Sequence, residues 1–79
     1  MPVVIECDVD DPEPSVHRAP IGSEIVLIAR SSTEREFHLH GYDLELTGQE
    51  VTFQFTASLP GDHELTEHPD HTTVCIISS

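Results

Sequence analysis

Apolar and polar residues alternate along much of this chain, a pattern typical of β-strands that bury one face. The alternation is clearest from 51 to 57, where polar residues separate Val51, Phe53, Phe55 and Ala57. The segment 25–29 is apolar at every position, which favours a strand in the centre of a sheet or in the core of a sandwich. No segment has a convincing helical period, so the pattern predicts an all-β protein.

Turn signals divide the chain into short segments. Seven strands are predicted, at 3–7, 15–19, 24–30, 35–40, 51–57, 63–67 and 72–77. Turns are expected at 8–14, 31–34, 47–49 and 60–62, and Gly41 is expected to mark a bulge or a bend. This spacing, roughly 8–12 residues per strand and turn, is typical of β-sandwiches. We therefore expect residues 1–79 to form a single sandwich domain of about seven strands.

The chain is strongly acidic. Its 79 residues include 15 acidic residues against three arginines and no lysine, so the formal net charge is −12. Binding of nucleic acid needs Lys and Arg on the surface, and this composition argues against it. No apolar run is long enough for a transmembrane helix, so we expect no membrane insertion. We expect a monomer whose partners are a metal ion and, in an alternative interpretation, another protein.

Two features bear on the cellular compartment. The first eight residues lack the basic flank and apolar stretch of a signal peptide. We expect a periplasmic or extracellular location if an export signal precedes this chain, and a cytoplasmic location otherwise. Cys7 and Cys75 match no zinc or redox motif. We interpret them as two buried thiols, in preference to a disulfide that would imply an oxidising compartment.

Two histidine clusters are the main candidates for chemistry. His38 and His40 are two residues apart on a predicted strand, so their side chains should lie on the same face. His68 and His71 lie near the end of the chain. Neutral imidazole is the usual protein ligand for copper, zinc and nickel. The four histidines are therefore the predicted metal ligands, and Glu67 and Asp70 are candidate oxygen ligands or hydrogen-bond acceptors.

The order of these elements resembles that of a small cupredoxin-like domain. The likeness is most specific at His38-Leu39-His40-Gly41-Tyr42-Asp43 and in the segment 61–68. It implies a Greek-key β-sandwich, and similar domains are usually exported. Cupredoxins hold copper through one histidine at the end of a strand, where His40 stands here, and through residues of the final loop. Either His68 or His71 matches the loop histidine.

The chain departs from the copper-binding pattern at two positions. Glu67 stands where cupredoxins have a cysteine, and the only methionine is Met1. A blue-copper site needs the thiolate, so electron transfer of that kind is not expected.

We therefore expect a domain that binds copper, with zinc as competitor, for metal capture, buffering or delivery. One alternative is a metal-free module that contacts other proteins, and a third hypothesis is a small redox or oxygen-chemistry copper protein without a thiolate ligand. No catalytic motif can be assembled, and we expect no enzymatic activity. His17 and His63 have no partner pattern and are interpreted as structural residues.

Overall fold

The computed structural model describes residues 2–10, 13–68 and 72–79, and it contains strands and turns in those ranges. Six strands are described, and their bounds are β1 Val3–Asp8, β2 Ser15–Arg18, β3 Glu24–Leu39, β4 Leu44–Thr56, β5 Asp62–His68 and β6 Thr72–Ser78. The prediction of an all-β sandwich is confirmed.

The long strand β3 belongs to both layers of the sandwich. Its first half pairs with β1 in parallel, from Val3↔Ile25 to Asp8↔Arg30. Its second half pairs with β5 in antiparallel fashion. Strand β4 follows β3 along its length, while β5 continues to β6 and then to β2, which runs parallel to β6. One layer is therefore β1–β3–β4, and the other is β2–β6–β5–β3–β4.

Two predicted turns are part of these long strands. Residues 31–34 were expected to separate two strands, but β3 continues through them. The pairing of β3 with β4 shifts between Arg30 and Arg35, so these four residues form an irregularity opposite Gln49. Gly48 lies inside β4, where the 47–49 turn was expected. An inserted bulge bends a strand without ending it, which is why seven predicted strands become six.

The core lies between the two layers and takes one residue in two from most strands. It consists of Ile5, Cys7, Ala19, Ile25, Leu27, Ala29, Phe37, Leu39, Val51, Phe53, Ala57, Leu65, Val74, Cys75 and Ile77. Strand alternation explains this set, because the intervening residues point to the solvent. The same alternation sets the side on which each candidate ligand lies.

The expectation of two buried thiols is wrong. Cys7 and Cys75 form a disulfide, with their Cα atoms 6.2 Å apart. Cys7 points inward from β1 and Cys75 points inward from β6, so the bond joins the two layers through the core. The two residues are 68 positions apart, and their proximity depends on the packing of the layers, which no local pattern encodes.

Within the described ranges, no helix has the length and hydrophobicity that crossing a bilayer requires.

Candidate metal-binding face

Several candidate ligands lie on the outward side of the β5–β3–β4 layer. The register pairs Glu36 with His68, and it places His38 between Thr66 of β5 and Glu45 of β4. Directly paired residues point to the same side of a sheet, and their inward neighbours on β3 and β5 are buried. We call the set His38, His40, His68, Glu36 and Glu45 the imidazole face. Three of the four predicted histidine ligands are thus brought to one surface.

His38 and His40 are in direct contact. The centroids of their rings are 4.4 Å apart, and the ring planes are inclined by 46°. His38 Nε2 lies 3.5 Å from Asp43 Oδ1, and the side chains of His38 and Asp43 are 25% and 99% exposed. Asp43 has a φ of 56°, a left-handed conformation that aspartate tolerates better than most residues. Two imidazoles and one carboxylate are therefore accessible together at the end of β3.

His40 is held by two hydrogen bonds to β5. Its backbone N–H donates to the carbonyl oxygen of Glu64 at 3.0 Å. Its ring Nε2 lies 2.9 Å from Thr66 Oγ1, which itself donates to the carbonyl oxygen of His38 at 3.5 Å. Both the backbone and the ring of His40 are therefore fixed, although its side chain is exposed.

The turn that follows His40 packs on His63. Gly41 has a φ of 91°, and a Cβ built on it would clash with the His63 ring, so only glycine fits. His63 Nε2 donates to the carbonyl oxygen of Leu59 at 3.1 Å. The Tyr42 ring lies 5.0 Å from the His63 ring and 4.6 Å from that of Phe55. These contacts give His63 a structural role. His17 lies on β2, which does not belong to the imidazole face, and its ring is hydrogen-bonded to Ser15 Oγ at 2.8 Å.

Two carboxylates lie among the imidazoles. The hydrogen bond that protonated Glu45 can donate to the carboxylate of Glu36 raises the pKa of Glu45, and repulsion between the two negative charges raises it further. The positive charge that His38 and His68 can carry acts in the opposite direction, because it favours the ionised carboxylate. The strands thus bring together two acidic groups that repel each other, next to side chains that bind cations.

Glu67 lies on the opposite side of β5. Its side chain is 1% exposed and forms an ion pair with Arg35, in which Nη1 lies 2.8 Å from Oε2. Glu67 pairs with Phe37, and both point into the core. The prediction that Glu67 could be a ligand beside His68 therefore does not fit the geometry, because neighbouring residues of a strand point in opposite directions.

The remaining candidates lie outside the described residues. His71 and Asp70 belong to the segment 69–71, of which nothing is described. Within the ranges that are described, no group of three or more His, Cys, Asp or Glu side chains is arranged to hold a metal ion. The His38–His40 pair is the part of the predicted site that the structure brings together.

Sequence reasoning missed three residues of this surface, namely Thr66, Glu36 and Glu45. The alternation along each strand assigns Glu36 to the same side as His38, so that signal was available. Thr66 and Glu45 are adjacent to His38 only through the register of β5 and β4 against β3. Pairing registers between distant segments cannot be derived from local patterns.

The comparisons with known proteins concern the fold. No protein-family model matches the chain, and no curated protein matches it. A chain in the cryo-EM structure of a heme-copper terminal oxidase dimer is 15% identical, with a TM-score of 0.67 over 96% of this chain. A chain in the structure of a methionine-to-glutamine mutant of amicyanin with Cu(I) is 16% identical, with a TM-score of 0.54 over 95% of this chain.

The two matches differ in how much of the other protein they cover. This chain spans 59% of the oxidase chain and 82% of the amicyanin chain. At these identities the likeness concerns the fold alone.

A copper site that contains a thiolate does not fit the described residues. Glu67, at the position that resembles the cupredoxin cysteine, is neutralised by Arg35 inside the core. Both cysteines of the chain are joined in the disulfide. The imidazole face on the outside of the layer is a different environment from a buried thiolate site. The chain has a cupredoxin-like Greek-key fold. The three candidate histidines within the described residues, His38, His40 and His68, lie on the outer side of that fold.

Proposed function

We propose that this protein binds a copper ion at the His38–His40 pair and serves in metal capture, buffering or delivery. The observation that carries the proposal is the contact between the two rings, 4.4 Å apart on an accessible surface. The ring of His40 is hydrogen-bonded to Thr66, so ligation of one ion by both rings would need only the ring of His38 to turn. We propose no blue-copper electron transfer, because the position that resembles the cupredoxin cysteine holds Glu67, which is paired with Arg35.

The donor atoms favour copper over zinc. Nitrogen and oxygen sites bind Cu²⁺ more tightly than other first-row divalent ions, so zinc is the competitor. The net charge of −12 attracts cations to the surface. The structural neighbours include a heme-copper oxidase and amicyanin with Cu(I), which is consistent with copper in a cupredoxin-like fold.

The ion needs more ligands than the pair provides. His68 lies on the imidazole face beside Glu36 and approaches the ion if its side chain rotates. His71, which lies outside the described residues, is the other candidate. Asp43, whose carboxylate lies 3.5 Å from His38 Nε2, supplies an oxygen. The proposed site is therefore completed on metal binding, which suits capture and release better than permanent retention.

We propose that the protein is not an enzyme and acts in an oxidising compartment. A cavity of about 440 Å³ lies at the start of β3 and is lined by Pro2, Glu24 and Gln54, among others. The imidazole face lies at the other end of β3, so this cavity offers no substrate space beside it.

The disulfide fits a periplasmic or extracellular location, because such bonds persist where the redox environment is oxidising.

A metal-free interaction module is the second candidate. It is favoured by the finding that the described residues contain no group of three arranged to hold a metal. Val4, Val16 and Ile21 are more than half exposed, and apolar side chains on a surface can contact a protein partner.

Calorimetric titration with Cu(II) and Zn(II) separates these two functions. The parent, His38→Ala, His40→Ala and His17→Ala are compared at one pH and one ionic strength. Loss of a ligand should weaken copper binding by roughly 10–100-fold or more, by analogy with the loss of residues that support ligands. His17→Ala is the matched control, because His17 lies on β2 and bonds to Ser15. Equal affinity in all four proteins would eliminate the proposed site and favour the interaction module.

A further inference from the structure

The end of β5 has few apolar residues that could fix its register. After Leu65 the strand continues with three polar residues, Thr66, Glu67 and His68. The pairing of β5 with β6 shifts between Leu65 and Thr66, so that ladder does not carry the register past this point. A displacement of one residue against β3 would turn Thr66 and His68 inward and Glu67 outward.

The ion pair of Glu67 requires that its side chain points inward. Arg35 lies on the inward side of β3, two residues before the buried Phe37, and its Nη1 donates to Glu67 Oε2 at 2.8 Å. Its Nε donates to Thr33 Oγ1 at 3.0 Å, so the guanidinium is held from two sides. We propose that Arg35 and Glu67 are positioning residues, whose ion pair sets the register of the end of β5 against β3 and thereby keeps His68 on the imidazole face. The role of His68 as a metal ligand rests on the proposed function, whereas the register does not.

Burial makes the displaced register unfavourable. In that register Glu67 would face water, and the guanidinium of Arg35, whose side chain is 20% exposed, would lose this carboxylate. Loss of one partner of a buried pair is strongly destabilising, whereas replacement of both partners by apolar residues is often neutral. The pair therefore selects one register more than it adds stability, as buried polar residues do in coiled coils.

Two double variants separate the register from stability. Arg35→Gln/Glu67→Gln removes both charges and keeps polar side chains at both positions. Arg35→Leu/Glu67→Leu also removes the charges, but its apolar side chains favour the same inward side. Arg30→Gln/Glu6→Gln is the matched control, because that ion pair is 2.9 Å long and its side chains are 42% and 56% exposed. Circular dichroism establishes that the variants are folded.

The first measurement needs no metal. Cross-strand proton contacts in NMR spectra, between positions 37 and 67 and between positions 36 and 68, report the register. The parent, the leucine variant and the control should show one set of signals with these contacts. The glutamine variant should show additional signals for 65–68 or contacts displaced by one residue. A single set with the contacts of the parent would overturn the inference.

A second polar variant keeps the test decisive if the glutamine variant does not fold. Arg35→Thr/Glu67→Thr removes the same charges, and threonine favours strands. Failure of both variants to fold would show that the fold itself needs the ion pair, which contradicts a role in register alone. A leucine variant that is much less stable than the parent in urea would have the same meaning.

The second measurement is titration with Cu(II) of His68→Ala in two backgrounds. In the parent this substitution should weaken binding by roughly tenfold or more. In the glutamine variant it should change the affinity much less, because His68 is no longer held on the imidazole face. Equal losses in both backgrounds, or none in either, would overturn the role of the ion pair in the metal site. If the NMR result is as expected and the parent binds no copper, the proposed function is wrong, whereas the control of the register stands.

Discussion

The inner and outer sides of β3 and β5 differ in how they accommodate polar side chains at one end of the sandwich. On the inner side, Glu67 is buried and paired with Arg35. On the outer side, His38 and His40 are in contact with each other and with water. A displacement of one residue along a strand separates the two environments. The comparison indicates that the inside is closed by an ion pair, while the outside presents two imidazoles in contact on the surface.

The largest expected effect concerns the inner side. Arg35→Leu should destabilise the protein by about 3–5 kcal/mol, because it leaves the carboxylate of Glu67 buried without its partner. Urea denaturation measures the loss. Arg30→Leu is the matched control on the same strand, because Arg30 bonds to Glu6 and Glu50 on the exposed surface. Exposed ion pairs contribute little, so this variant should lose much less.

The double variant Arg35→Leu/Glu67→Leu makes the comparison sharper. Replacement of both partners by apolar residues removes the uncompensated charge, and most of the lost stability should return. Equal losses in Arg35→Leu and Arg30→Leu would contradict the claim that the inner side depends on a buried ion pair.

The second prediction is that a disulfide, and not a metal, stabilises the core. Cys7→Ser/Cys75→Ser should lower the free energy of unfolding by about 2–5 kcal/mol, since the bond closes nearly the whole chain. Treatment of the parent with a chelator should leave its circular dichroism and its unfolding midpoint unchanged. A chain that unfolds on chelation and folds again on addition of metal would behave like a structural zinc domain and would refute this prediction.

The third prediction concerns the outer side and its pH dependence. Ligation requires neutral imidazole, so copper affinity should fall as the pH decreases through about 6.5, the ordinary histidine range. His40→Ala should lose affinity most, and His68→Ala should come next. Copper titrations at several pH values measure both effects. A parent that binds equally well above and below this range does not use imidazole ligands.

The smallest expected effect is that of the carboxylate pair. The pKa of Glu45 is raised in the folded state by the hydrogen bond that its protonated carboxyl donates to Glu36 and by the negative charge of Glu36. A raised folded pKa contributes stability below the unfolded pKa, and this contribution is lost as the pH rises through the folded value. At neutral pH, Glu45→Gln should therefore raise the melting temperature relative to the parent, and the gain should shrink as the pH falls through the carboxylate range.

Glu64→Gln is the control for this effect, since Glu64 is an exposed acid on β5. The metal-free proteins are compared by thermal denaturation at neutral and acidic pH. If Glu45→Gln gains no more than Glu64→Gln at neutral pH, the repulsion between Glu36 and Glu45 has no measurable effect on stability.

The strands and the placement of His38 and His40 on one face could be derived from local alternation. The buried residues of β4, such as Val51 and Phe53, are those that the pattern indicates. The predicted end of a strand at 31–34 was wrong, because a bulge that leaves the strand intact and a turn have similar polar composition. Local pattern therefore predicts which side a residue faces better than where a strand ends.

The contacts between distant segments could not be derived in this way. Alternation from Leu65 places Glu67 on the inward side of β5, but nothing local shows that Arg35 lies there to neutralise its charge. The same holds for the disulfide, since Cys7 and Cys75 meet only when the two layers pack. These features depend on how the two layers pack, because the packing determines which inward-facing residues of distant segments come into contact.

Electron paramagnetic resonance of the copper-loaded protein, combined with its visible spectrum, tests the central claim most directly. If copper binds to the outer side, the parent should show coupling to at least two imidazole nitrogens and no intense thiolate band. The double variant His38→Ala/His40→Ala should lose that coupling. A strong visible band that disappears in Cys75→Ser, or nitrogen coupling that persists in the double variant, would place the copper elsewhere and contradict the account.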